Sequence, residues 1–154
     1  MSASLAAHPL HLYARPSQAQ PGAVIRVKQG EFDSLRCPEA ALAAASFQIT
    51  FEQAVERLQR LDRMFIELDG SFLWTGQDSD CRWQLDGMLY DDGQRLKRVE
   101  LKGSCPLASW QLLLGCLDWP TQPLLAHWIE WNCFVAIEQL LRSESFLPHL
   151  RHNP

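Results

Sequence analysis

Two alternating segments joined by a tight turn constrain this chain more than anything else in it. Residues 82–90 place Trp83, Leu85 and Leu89 on one side and Gln84, Asp86, Met88 and Tyr90 on the other. Residues 96–102 place Val99 and Leu101 on one side and Arg98, Glu100 and Lys102 on the other. Between them, Tyr90-Asp91-Asp92-Gly93-Gln94 reads as a hairpin turn. Loop length decides the chemistry, because a one-residue slip sends every side chain to the opposite face. A two-residue Asp92-Gly93 loop sets Asp86 opposite Val99 and leaves Glu100 among Trp83 and Leu85. Burying that carboxylate unpaired is costly. A three-residue loop of Asp91, Asp92 and a left-handed Gly93 instead gathers Trp83, Leu85, Leu89, Val99 and Leu101 on one face. It is the expected loop, with Tyr90 opposite Gln94, Asp86 opposite Arg98, and Gln84 opposite Glu100.

The surrounding chain supplies further elements. Thr50-Phe51-Glu52-Gln53 is a capping box, and Phe51, Ala54, Val55, Leu58 and Leu61 recur at helical spacing, which predicts a helix over 51–63. Residues 64–74 alternate as a first strand, with Ile66, Leu68, Phe72 and Trp74 on one side. After Gly103, Ser104 or Cys105 can cap a second helix that has Pro106 in its first turn, buries Leu107, Trp110, Leu114 and Leu117, and stops at Pro120. A strand over 124–131, continued through 133–137, and a helix over 138–142 follow, and the tail 143–154 reads as loose. Prolines and a glycine interrupt the first 49 residues, leaving β-like runs at 10–13 and 23–28 and a short alanine-rich helix at 38–45. The expectation is a single α+β domain over 1–154. Its core (50–142) runs helix, three-stranded antiparallel meander, helix, strand, helix, after an irregular N-terminal region. Leu58, Ile66, Leu68, Trp83, Leu85, Val99, Leu101 and Trp110 are expected to be buried together.

Composition narrows the function classes. A chain of 154 residues, 47% hydrophobic, can bury one sizeable core. No stretch reaches the ~18 apolar residues of a bilayer span, and no basic start precedes an apolar run, so a cytoplasmic protein without a membrane partner is expected. Five dispersed cysteines without a C-x-x-C pair suggest neither a disulfide framework nor a zinc site. The net charge of −4 argues against holding nucleic acid by general electrostatic attraction. His8 and His11 have metal-like spacing, but Pro9 between them argues against a helix; His149 and His152 fall in the tail. His127 reads as packed within an apolar strand. The six tryptophans read mainly as packing, with Trp119 and one of Trp128 or Trp131 exposed.

The polar side of the hairpin carries the sharper chemistry. Asp86, Glu100 and Lys102 share one face, to which the preceding strand can add Glu67 and Asp69. Crowded carboxylates repel unless a cation intervenes. Mg²⁺ prefers such oxygen ligands, and a nearby lysine can orient or deprotonate an attacking water. The set resembles the PD-(D/E)xK nuclease superfamily, in which an Asp on the second core strand and a Glu-x-Lys on the third bind metal and position water. The order of elements over 51–131 also resembles that family's core. The resemblance implies metal ligands at Asp86 and Glu100, with Glu52 or Glu56 as the acidic residue of the first helix. Leu85 stands where the idealised pattern has proline, and no basic face is evident. The chain also resembles a small family of uncharacterised bacterial proteins whose strands read ELDGSF and VELKG, which brings no known activity.

Two functions are therefore carried forward, with self-association through a sheet edge or exposed tryptophans as a third reading. The favoured one is a non-catalytic binding or interaction domain, needing no cofactor, with a protein partner. Its hairpin face would be solvated, with an Asp86–Arg98 ion pair beside Glu100 and Lys102. The alternative is a Mg²⁺-dependent, nuclease-like phosphodiesterase acting on nucleic acid through Asp86, Glu100 and Lys102.

Overall fold

Strand pairing, rather than helix packing, organises this molecule. The computed structural model describes residues 9–27 and 30–142. The elements in chain order are β1 (Leu10–Ala14), β2 (Gln20–Val27), β3 (Gly30–Arg36), α1 (Glu39–Ala44), α2 (Phe51–Leu58), β4 (Met64–Ile66), β5 (Ser71–Asp78), β6 (Cys81–Asp91), β7 (Leu96–Ser104), α3 (Leu107–Cys116), β8 (Leu124–Trp128), β9 (Cys133–Ala136) and α4 (Ile137–Arg142), with a 3₁₀ turn at Ile129–Trp131 between β8 and β9. All nine strands join one antiparallel sheet in the order β2-β3-β9-β8-β1-β7-β6-β5-β4. The expected α+β arrangement around a three-stranded meander is therefore corrected to a nine-stranded antiparallel sheet carrying four short helices.

The largest correction falls on the first 49 residues: the β-like runs at 10–13 and 23–28 and the short helix at 38–45 do form, but the region expected to be irregular adds a third strand and joins the main sheet. Of its three strands, β1 sits in the middle of the sheet. Leu12 pairs with Val99 on one side and Ala126 on the other. A five-residue run is too short to announce a central strand by periodicity; what holds it is a ladder on both edges, from partners roughly ninety or more residues away. β2 and β3 form a hairpin whose inner strand pairs with β9 through Ser34↔Val135 and Leu35↔Phe134. Pro21 is accommodated because β2 is an edge strand, where a missing N–H breaks no interior ladder.

The stretch read as one strand over 64–74 is a hairpin. Glu67-Leu68-Asp69-Gly70 turns the chain: Gly70 takes φ 93°, its N–H donates to the Glu67 carbonyl at 3.1 Å, and Asp69 Oδ1 accepts from the Ser71 backbone N–H and hydroxyl. Leu68, expected in the core, is 95% exposed at this tip. The meander thus has four strands, β4 to β7.

Within β6–β7 the face assignment holds and the pairing does not. Asp86 lies opposite Lys102, Met88 opposite Glu100 and Tyr90 opposite Arg98, with a bulge between Tyr90 and Asp91. Gly93 takes φ 96°, but the chain reverses between Asp92 and Arg95, and Asp92 Oδ1 accepts from the Gln94 and Arg95 N–H groups. The slip from the expected pairing is an even number of residues, so every side chain stays on its face.

The inner face of the sheet packs under α2 and α3. Leu85, Leu89, Val99 and Leu101 join Leu10, Leu12, Ala126, Trp128 and Val135 in one core with Ala54 and Leu58 of α2 and Trp110, Leu113 and Leu114 of α3. The capping box forms as expected: Thr50 Oγ1 accepts from Gln53 N–H at 3.1 Å, and Gln53 Oε1 from Thr50 N–H at 3.0 Å. Arg57 of α2 reaches Asp118, beyond α3, at 2.6 Å and joins the two helices. No helix among the described residues is long and apolar enough to cross a membrane. The tail 143–154, with His149 and His152, and His8 lie outside the described residues.

Candidate functional site

The outer face of the sheet carries the residues singled out from sequence. Asp86, Glu100 and Lys102 do project from one side, but they are not drawn to one point. Asp86 is exposed opposite Lys102 and accepts from Gln84 Nε2 at 3.1 Å. Glu100 turns towards its other neighbours: its Oε2 accepts from the Tyr90 hydroxyl at 3.3 Å and lies 3.5 Å from His11 Nε2 on β1. Arg98, expected to pair with Asp86, lies over the Tyr90 ring at 4.2 Å instead. Positions 86 and 100 are diagonal neighbours, ~7–8 Å apart across the ladder, and what keeps their carboxylates apart is their different partners, Gln84 for Asp86 and Tyr90 with His11 for Glu100.

The remaining candidates scatter. Opposite Asp86 on β5 stands Leu73, and Glu67 and Asp69 occupy the exposed β4–β5 turn. The Ser71 hydroxyl and N–H lower the Asp69 pKa, which accounts for this carboxylate as a turn former. Glu52 and Glu56 are exposed on α2, which covers the opposite, inner face, and Glu56 pairs with Arg60 at 2.6 Å. Among the described residues no three His, Cys, Asp or Glu side chains gather as a metal-binding group.

Sequence reasoning missed the row that β1 completes. His11 lies directly between Glu100 and His127, and Phe134 follows on β9. His127 is partly exposed on this outer face rather than buried in the core. It stacks on Phe134 at 4.4 Å, and its Nε2 is 3.1 Å from Asn132 Oδ1. The two imidazoles meet edge to face at 6.1 Å. Burial lowers the His11 pKa and outweighs the nearby Glu100, while Arg98 and His127 act in the same direction as burial. No sequence signal links His11 to Glu100; only the central position of β1 does.

The second feature is a groove of about 560 Å³ between the far end of the β5–β6 hairpin, the segment after α2, and the first turns of α3. Its floor is aromatic. Trp83 lies over its cross-strand partner Gly76 so closely that a Cβ there would stand 2.2 Å from Trp83 Cζ2. Buried Trp74 meets Trp83 at 5.1 Å and 87°, and its indole N–H donates to the Asp62 carbonyl at 2.9 Å. Ser109 and Leu112 of α3 form the facing wall, and Asp62, Arg63, Gln77 and Asp78 the rim. Arg63 takes φ 61°, uncommon for a residue with a side chain. The alternation of residues 82–90 had assigned Trp83 to the core; it packs against the core but is only half-buried, because it borders the groove.

Of the five thiols, Cys81 is exposed opposite Asp78 at the end of the β5–β6 hairpin, and the other four are partly or fully buried. Burial raises the pKa of Cys37, Cys105, Cys116 and Cys133, which favours the inert thiol form. Compared with protein-family models, curated proteins and solved structures, the chain matches none.

Proposed function

We propose that this protein is a non-catalytic binding domain whose ligand seats in the groove between the β5–β6 hairpin and α3. The observation that carries this reading is Trp83, an indole pinned against Gly76 and Trp74 at the floor of an open concavity. A ring fixed before the ligand arrives loses little conformational freedom on binding, the usual advantage of a preorganised site. The groove has the size of small-molecule sites and combines an apolar floor with a few polar groups at the rim. The left-handed backbone at Arg63 also suits a site, since strained residues concentrate where ligands are held.

A screen of neutral, cationic and anionic small molecules against isotope-labelled protein tests the reading. Binders should shift the Thr75, Gly76, Trp83 and Ser109 resonances together. Binders that all map elsewhere, or none at all, would end it.

The rival is a magnesium-dependent phosphodiesterase at Asp86, Glu100 and Lys102, supported by their common face. It requires Glu100 to leave Tyr90 and His11 and swing towards Asp86. Mg²⁺ or Mn²⁺ would then raise the thermal midpoint by mass action, Asp86→Asn would abolish the rise, and DNA or RNA would be cut.

A further inference from the structure

The groove's chemistry can be carried one step further, and this step rests on the binding reading above. We infer that the ligand is a neutral saccharide, seated with one apolar ring face on Trp83 and its hydroxyls on the rim.

The argument starts from which surface of Trp83 is free. The indole packs on Gly76, meets Trp74 edge to face and lines the groove, so what it offers a ligand is the aromatic surface those two residues leave uncovered. A planar aromatic floor suits a ligand with a flat, C–H-lined face. Around it the rim offers Asp62, Asp78 and the Gln77 amide oxygen as hydrogen-bond acceptors, with Arg63 and Ser109 as donors, while the Gln77 amide nitrogen donates to the Ser79 carbonyl at 3.4 Å. A ligand that meets both must be amphiphilic on opposite sides of one ring and carry several hydroxyls, each able to donate and accept. A pyranose has that chemistry.

Charge separates this class from its competitors. An anion such as a nucleotide would stack on Trp83 but bring its phosphate against Asp62 and Asp78, with Arg63 as the single cation of the lining. A quaternary ammonium would suit the indole face and the carboxylates, but it would offer Ser109 no hydrogen bond and would meet the Arg63 charge. Hydroxyls satisfy all of these groups without a net charge. Openness to solvent fits a chain of sugar units as well as one ring, since the groove is not a closed cavity.

The experiment is a titration of the intact chain with methyl β-glucoside, cellobiose, maltose and mannobiose, followed by the Trp83 indole N–H and the groove amides. At least one sugar should move these signals in a saturable way. Trp83→Ala should weaken that binding about two- to tenfold, the loss expected for one aromatic contact. Should Trp83→Ala fail to fold, Asp78→Ala at the exposed hairpin end and Ser109→Ala on α3 should each weaken it without changing the thermal midpoint. Tetramethylammonium and adenosine monophosphate are the comparison ligands. If either binds the groove and no sugar does, the saccharide inference falls while the binding domain stands. If sugars bind but move only outer-face signals such as His127, the inference also falls. If no ligand of any class touches the groove, both readings fall together.

Discussion

Two places in the meander use the same local device with opposite results. On β5–β6 the Phe72 ring lies over its partner Gly87, and the Trp83 ring lies over its partner Gly76. In both a strand glycine removes the Cβ that would block a flat aromatic, a known route to close backbone approach. Phe72 is 4% exposed within the core, whereas Trp83 is half-buried because it borders the groove whose facing wall is the first turns of α3. One sequence pattern thus makes a core plug or a binding floor, and the layer above the sheet decides which.

Mutations at the two pairs should separate them by size. Phe72→Ala should cost about 3–5 kcal/mol in denaturant unfolding, as aromatic truncations in packed cores do. A cost below ~1 kcal/mol would mean that the core does not close over this ring. Gly87→Ala would place a Cβ 2.0 Å from Phe72 Cζ, and the buried ring has nowhere to go, so a loss of about 1–3 kcal/mol is expected. Gly76→Ala makes a similarly short contact with Trp83, 2.2 Å, but there the added methyl can push the half-buried indole off its seat into the open groove. Its expected stability cost is therefore smaller than that of Gly87→Ala, and its main effect should be a displaced Trp83 indole signal and weakened groove binding. Equal stability costs at the two glycines would erase the distinction drawn here.

The outer face supplies the smaller effects. Burial lowers the His11 pKa below the ordinary 6.5, so the unfolded chain binds this proton more readily than the folded one. Folding stability should therefore fall as pH drops below about 6.5 and level off once His11 is protonated in the native state too. His11→Asn should flatten that part of the stability–pH curve, and an unchanged slope would show that another group titrates there. Asp86→Asn should change stability by no more than ~0.5 kcal/mol, with or without Mg²⁺, since Asp86 is exposed and its described partner is Gln84. A larger, metal-dependent change would revive the nuclease alternative.

The sequence by itself determined the short-range features. Thr50 and Gln53 announced the start of α2, Pro106 marked the start of α3, and alternation put Leu85, Leu89, Val99 and Leu101 on one face. These signals are local: a cap spans one turn, and strand alternation is written in consecutive residues. The same alternation misread Glu67-Leu68-Asp69-Gly70 as strand, because Asp-Gly serves a turn there while Asp86-Gly87 stays extended between two neighbouring strands. Only the tertiary structure decided strand order. Placing β1 between β7 and β8 is what brings His11 to Glu100 and His127, and no residue near His11 in sequence encodes that neighbour. It likewise decided that Trp83 borders a groove while Phe72 lies in the core, because burial depends on how distant elements, here α3 and the segment after α2, pack against the sheet.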